Sequence, residues 1–247
     1  MIVYLGLTNN TADQEAPFEY ALSSAALAWT RTGLRTRPLH PEVREIFLDS
    51  GGFSVWQKGG TYPWTLDQYV AWVERMKIRH PSTRYAAVRD YPFDPEKTTR
   101  SAAGMIDLPL EGVAWVHVLQ GDRPADYLRA VDLAKDAGVI TPLTAIGCLK
   151  GRPPGDVDRI VSLVREALPP NIEIHCFGLG LRFLSSPTIL SAARSVDTSS
   201  WMIGQIPGKK FPSTKDERIR SLVTYREKVD RLCSRQDRQT TIAEFAE

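Results

Sequence analysis

The chain is poor in features that would narrow its class at once. It has only three cysteines in 247 residues, and Cys148, Cys176 and Cys233 are far apart and odd in number. That excludes a disulfide framework and a close-spaced zinc knuckle, and a reducing, cytoplasmic setting is the expectation. It has no apolar run long enough to span a bilayer. The opening stretch from Met1 to Leu7 is apolar, but it lacks a basic lead-in and meets Thr8-Asn9-Asn10 before a signal core could form. It reads as a strand, and no membrane partner is expected. Charge of one sign is scarce too: the net charge is +2, too small to declare a nucleic-acid binder. No internal repeat, low-complexity linker or break points to a second domain. What is present is 43% hydrophobic and 24% charged residues, enough for one domain over 1–247 with a sizeable core. This is the usual size of a minimal (β/α)8 barrel.

The charge that exists is unevenly placed. Between Lys209 and Arg238 stand ten basic residues against five acidic ones. The segment 205–238, a basic loop leading into a C-terminal helix, is therefore either a phosphate-facing surface or a solvated helix face laced with i,i+4 pairs.

Short apolar runs alternate with amphipathic stretches, the pattern of parallel βα units. The runs are Ile2 to Leu7, Glu45 to Leu48, Tyr85 to Arg89, Ala114 to Leu119, Thr141 to Ile146, Glu173 to Leu179 and a weaker one from Ser195 to Ile203. They make seven strands and leave the eighth unplaced. Thr65-Leu66-Asp67-Gln68 is a capping box, opening a helix with Leu66, Tyr69, Val70, Val73 and Met76 on its inner face. Asp94-Pro95 and Ser186-Pro187 each set a capping side chain before a proline at the first helical position. Thr214-Lys215-Asp216-Glu217 is a second capping box, and it launches a long terminal helix.

In a parallel barrel the reactive groups lie at the C-terminal ends of strands. Here those ends read Asp49-Ser50-Gly51-Gly52-Phe53, Arg89-Asp90-Tyr91-Pro92, Leu119-Gln120-Gly121-Asp122, Ile146-Gly147-Cys148-Leu149, Phe177-Gly178-Leu179-Gly180 and Asp197-Thr198-Ser199-Ser200. Each is an ordinary turn or cap taken alone. Together they would bring carboxylates, an amide, glycines and two phenylalanines to one mouth.

In this order the motifs resemble the tRNA-guanine transglycosylase superfamily, and most of all its short branch that inserts 7-deazaguanines into DNA. The resemblance spans roughly Phe47 to Met202 as an ordered set of strand-end motifs. It implies a (β/α)8 barrel in which Asp197 is the nucleophile and Asp49 the general acid/base. Asp90 and Gln120 would read the hydrogen-bonding edge of the purine, helped by backbone at Gly147 and Cys148. Phe53 and Phe177 would sandwich the base, and Ser50 and Gly51 would bring backbone close to the sugar. The implied partners are DNA, favoured over tRNA, and a free 7-deazaguanine such as preQ0; no cofactor is implied. Gln205, Lys209 and Lys210 would meet phosphates.

The chain departs from the family in three places. No group of cysteines with a histidine follows Asp197, so no structural zinc is expected and the oligomeric state stays open. Cys148 stands where the family has a glycine. The loop from Gln205 to Lys210 is compact and basic. Two readings of other classes remain beside the exchange: an N-glycoside hydrolase using Asp49 and Asp197 as a carboxylate pair, and a catalytically inactive nucleic-acid-binding barrel.

Overall fold

The apolar runs become parallel strands because each is too short to bury itself and is covered on both faces, by neighbours in the lumen and by helices outside. In a computed structural model they are β1 (Ile2–Gly6), β2 (Tyr20–Ser24), β3 (Glu45–Asp49), β4 (Thr83–Ala87), β5 in two pieces (Ala114–Val116 and Val118–Leu119), β6 (Leu143–Ile146), β7 (Glu173–Cys176) and β8 (Ser195–Thr198). The structure describes residues 1–8, 15–203, 205, 208 and 211–244, with side chains of the last helix described as far as Cys233.

All pairings in this sheet are parallel, and it runs unbroken from the first piece of β5 through β4, β3, β2, β1, β8, β7 and β6 to the second piece of β5. The two ends of the sheet are thus halves of one strand, and the ring has eight positions. The interruption is His117. Its N–H donates to Thr141 Oγ1 (3.0 Å) and its carbonyl accepts from Ala145 N (2.8 Å), so the backbone stays satisfied across the break. The imidazole is buried with neither ring nitrogen hydrogen-bonded, and burial pulls its pKa down to about 4.

The strand left unplaced by the sequence is β2. Tyr20-Ala21-Leu22-Ser23-Ser24 is short and ends in serines, yet it lies between β1 and β3, with Leu5 opposite Ala21 and Phe47 opposite Leu22. Its burial comes from those neighbours rather than from a pattern of its own. The seven strands read from sequence are present, with ends shifted by a few residues.

The helices are α1 (Ala25–Ala28), α2 (Gly52–Gln57), α3 (Leu66–Arg79), α4 (Pro95–Ala103), α5 (Pro124–Asp136), α6 (Pro154–Ala167), α7 (Pro187–Ala192) and α8 (Lys215–Glu244). Their expected caps form. Thr65 Oγ1 accepts from Gln68 N (3.2 Å) while Gln68 Oε1 accepts from Thr65 N (2.9 Å). Asp94 accepts from Lys97 N (2.9 Å), Ser186 from Ile189 N (3.3 Å) and Thr214 from Glu217 N (3.2 Å). The buried face of α3 is Tyr69, Trp72, Val73 and Met76, rotated from the expected one. Two hydrogen bonds account for the rotation: Trp72 Nε1 donates to Arg35 O (3.0 Å) and Tyr69 OH to Ala87 O (2.8 Å). Each of these aromatics gains roughly 2–3 kcal/mol from burial, and its polar tip finds a partner.

The course of α8 bears on the charge asymmetry. Ser221 Oγ donates to Trp201 O and the Tyr225 hydroxyl meets Thr198 Oγ1 (3.0 Å), both just past the mouth end of β8. Further along, Arg226 donates to Pro17 O (2.8 Å), and Val229, Asp230 and Cys233 line a hollow with Met1 and Ile2. The helix runs from mouth to base, carrying Arg226 away from the strand ends. Among the described residues no helix is long and apolar enough to cross a membrane.

Candidate functional site

The turn after β3 is shaped by Gly51, which takes a left-handed φ of 82°. A Cβ there would lie 2.6 Å from Ala26 Cβ, so only glycine fits both the conformation and the contact. The turn delivers Phe53 to the wall of a cleft of about 210 Å³ at the mouth of the barrel. Asp49, Phe53, Asp90, Gln120, Gly147, Cys148, Phe177 and Asp197 all line this cleft. Strands three and seven are four places apart in a ring of eight, so Phe53 and Phe177 enter it from opposite sides.

Ser50 and Gly51 do not line it. Ser50 is fully buried below the wall, where its hydroxyl pairs with Tyr62 OH (2.9 Å), accepts from Gly52 N (3.2 Å) and donates to Asp90 Oδ1. It orients Asp90 rather than touching the cleft. The site is also tightly packed at Gly147, where a Cβ would fall 2.4 Å from Gln120 Nε2. Gly147 itself is engaged on both sides, donating to Leu119 O (2.9 Å) and accepting from Tyr127 OH (2.9 Å).

A chain of hydrogen bonds fixes the polar edge of the cleft. The Cys148 thiol donates to Gln120 Oε1 (2.9 Å), and Gln120 Nε2 donates to Asp90 Oδ2 (2.5 Å). The Gln120 amide is therefore set with its NH2 towards Asp90, leaving one amide proton unspent. Asp90 receives Ser50 on one oxygen, Gln120 on the other and its own backbone N–H as a third donor, which still leaves acceptor capacity on the carboxylate. The edge thus offers acceptors beside a donor. Cys148 adopts φ 55°, a conformation that glycine takes at less cost. Burial pushes its thiol up to about 12, so it serves as a hydrogen-bond donor and not as a thiolate nucleophile.

The two remaining carboxylates differ. Asp49 is packed at the end of β3, and burial first, then the charge of Asp90, raises its pKa to about 7. Hydrogen bonds from the Gly51 N–H and the Ser24 hydroxyl oppose that rise. Asp197 is 8% exposed, and its Oδ1 accepts from Gly178 N (2.7 Å). Below it lies His175, fully buried, with Nδ1 2.9 Å from Ser195 Oγ and Nε2 3.6 Å from Asp197 Oδ1. His175 packs against Phe177 (4.5 Å), Phe47 (4.7 Å) and Tyr4 (5.7 Å), and burial lowers its pKa so that it stays neutral.

The sequence reading missed His175, Ser24 and Lys150. The period-2 alternation Glu173-His175-Phe177 could have found the first, since it puts His175 one layer beneath a cleft residue. Ser24 came with the unplaced strand. Lys150, close to Cys148 in the chain, lines the cleft with its Nζ 5.9 Å from the Phe53 ring centroid. Of the expected phosphate contacts, Gln205 lies outside the cleft, donating to Ile203 O (2.8 Å) and accepting from Lys228 Nζ (2.7 Å). Lys209 and Lys210 fall outside the described residues. Among the described residues no three His, Cys, Asp or Glu side chains are grouped so as to hold a metal ion. Compared with protein-family models and with curated proteins, the chain matches none.

Proposed function

We propose that this protein exchanges guanine in a polynucleotide for a 7-deazaguanine through a covalent ester on Asp197, with DNA the favoured polymer and tRNA the alternative. The observation that carries this reading is the meeting, in one cleft, of a carboxyl poised near neutrality at Asp49, a carboxylate held by a backbone N–H at Asp197, and the Asp90–Gln120 edge. A flat purine between two phenyl rings still needs donors and acceptors at its rim. Asp90 offers acceptors to the N1–H and exocyclic amine of guanine, and the free amide proton of Gln120 suits its carbonyl oxygen.

The chemistry follows a retaining displacement. Asp197 Oδ attacks C1′ as the C1′–N9 bond breaks, and the departing guanine takes the proton of Asp49. A group with a pKa of about 7 gives up and regains a proton with equal ease at neutral pH. The glycosyl ester on Asp197 keeps the strand attached while free bases exchange. The incoming 7-deazaguanine then loses its N9 proton to Asp49, N9 attacks C1′, and the ester bond breaks to restore the Asp197 carboxylate. His175 lies beneath Asp197 and not against the substrate: its Nε2 stands 3.6 Å from Asp197 Oδ1, beyond hydrogen-bond reach, and its ring fills the space below the carboxylate.

The test is incubation with duplex DNA, with tRNA and with labelled 7-deazaguanine, followed by denaturing electrophoresis. Label enters one polymer, and a denaturation-resistant protein–nucleic acid adduct forms that is absent in Asp197→Ala. No label in either polymer, with Asp49→Ala and Asp197→Ala identical to wild type, overturns the reading. Release of guanine with no incoming base assigns a hydrolase instead.

A further inference from the structure

Beside the cleft a row of aromatic side chains continues outward from Phe53, and its outer two, Trp56 and Phe93, have no part in the exchange. Phe53, on the cleft wall, lies 5.7 Å from Trp56, and Trp56 lies 5.0 Å from Phe93 by ring centroids. Trp56 is 46% exposed and Phe93 37% exposed, although such rings normally contribute to cores. Phe93 also holds a φ of 65°, a strained conformation for a bulky residue, so its ring is presented at a conformational cost.

Two cations flank the row. Lys150 Nζ stands 5.9 Å from the Phe53 centroid. Beside its middle ring, Lys97 and Trp56 line a separate hollow of about 250 Å³, with Lys97 Nζ 4.0 Å from the Tyr91 centroid. Asp94 borders that hollow, but its carboxylate is engaged in capping α4 through Lys97 N (2.9 Å).

We infer that Trp56 and Phe93, continuing outward from Phe53, form a stacking platform for unpaired nucleotides adjoining the one held in the cleft, with Lys150 and Lys97 taking the phosphates. This rests on the cleft being a nucleotide site. Alternating π-faces and cations are what a single strand requires, because every base offers a face to stack and every linkage a charge. Extruding one nucleotide from a duplex exposes its neighbours, and those are the bases the row would receive. A protein partner would cover the rings but has no need of the flanking cations.

The experiment is titration of the full chain with oligothymidylate of about twelve nucleotides, a length within the span of known single-strand grooves. The comparison strand is an abasic one of equal length. Thymidylate contains no guanine, so binding is read without base exchange. Thymidylate quenches tryptophan fluorescence and binds at least about ten-fold more tightly than the abasic strand. Trp56→Ala weakens it about ten-fold and removes most of the quench, while Trp56→Phe retains binding. Lys97→Ala and Lys150→Ala each reduce the salt slope by about 0.7. Equal binding of the two strands, or unchanged thymidylate affinity in both Trp56→Ala and Phe93→Ala, overturns the proposal. So does a wild-type dimer that Trp56→Ala dissociates with no loss of thymidylate affinity, which assigns the row to a second copy of the chain. If thymidylate binds as stated and no Asp197 adduct forms, the platform stands and the exchange falls. If the adduct forms and thymidylate ignores Trp56, the platform alone falls.

Discussion

At the base of the barrel the acids at the strand starts have direct side-chain partners. Glu45, at the start of β3, receives the Tyr4 hydroxyl; Glu173, at the start of β7, pairs with Arg194 (3.3 Å), which also donates to Tyr85 OH (2.7 Å). At the mouth, Asp49, Asp90 and Asp197 converge on one cleft, and among the described residues no Lys or Arg pairs with any of them. They are held by hydroxyls, an amide and backbone N–H groups instead. The base network is arranged for stability. The mouth concentrates negative charge at a cost, and such a cost is tolerated where a site needs it. Substitutions at the two ends should therefore move stability and chemistry in opposite directions.

The largest effect is expected at Asp197. Asp197→Asn should lower adduct formation by about 10³-fold or more, with the fold intact by circular dichroism, because it removes the group that forms the ester. Retained adduct in that variant would move the nucleophile elsewhere and dissolve the contrast.

Asp49→Asn should stabilise the protein by roughly 1–3 kcal/mol at pH 8 while abolishing exchange, since it removes a charge that folding buries. The size of the gain depends on pH. The folded carboxyl holds its proton up to about pH 7 against an ordinary value of 3.8, so its contribution favours folding at low pH and is lost as pH rises through 7. The gain from Asp49→Asn is thus greatest above pH 7 and shrinks towards pH 4, as denaturant titrations across that range would show. A gain that does not change with pH would mean that the carboxyl titrates normally.

Tyr4→Phe tests the base. It should cost about 1–2 kcal/mol by removing the partner of Glu45, with exchange per folded molecule unchanged. Loss of exchange without loss of stability would make the base part of the site.

The smallest effect is expected at Cys148. Cys148→Gly relieves the left-handed strain and loses the thiol hydrogen bond, so stability should change by less than about 1 kcal/mol. The apparent affinity for the incoming base should fall several-fold, because the Gln120 amide is then free to flip. A stability loss well above that figure would make Cys148 a structural residue.

Much of this was legible in the chain. The alternation of apolar runs with capped helices foretold the barrel, and the polar residues following the runs foretold most of the cleft. β2 was not legible, because Tyr20–Ser24 is buried by its neighbours and carries little pattern of its own. His175 was not, because a polar residue in a strand looks no different whether it faces the lumen or the helices. Ser50 was placed one layer too high, since the left-handed Gly51 decides which side chains of the turn face the cleft. The basic C-terminal helix gave a true charge asymmetry but not its direction, which the packing of Ser221 and Tyr225 against the end of β8 sets.

By itself the sequence determined which residues stand at strand ends, because periodicity and capping are local and are written in consecutive positions. Only the tertiary structure decided which of them meet. Closure of the ring sets Phe53 across from Phe177 and draws Asp49 into the cleft that Asp90 and Asp197 share. The proton affinity of Asp49 belongs to the same level, because burial and neighbouring charge act through space and not along the chain.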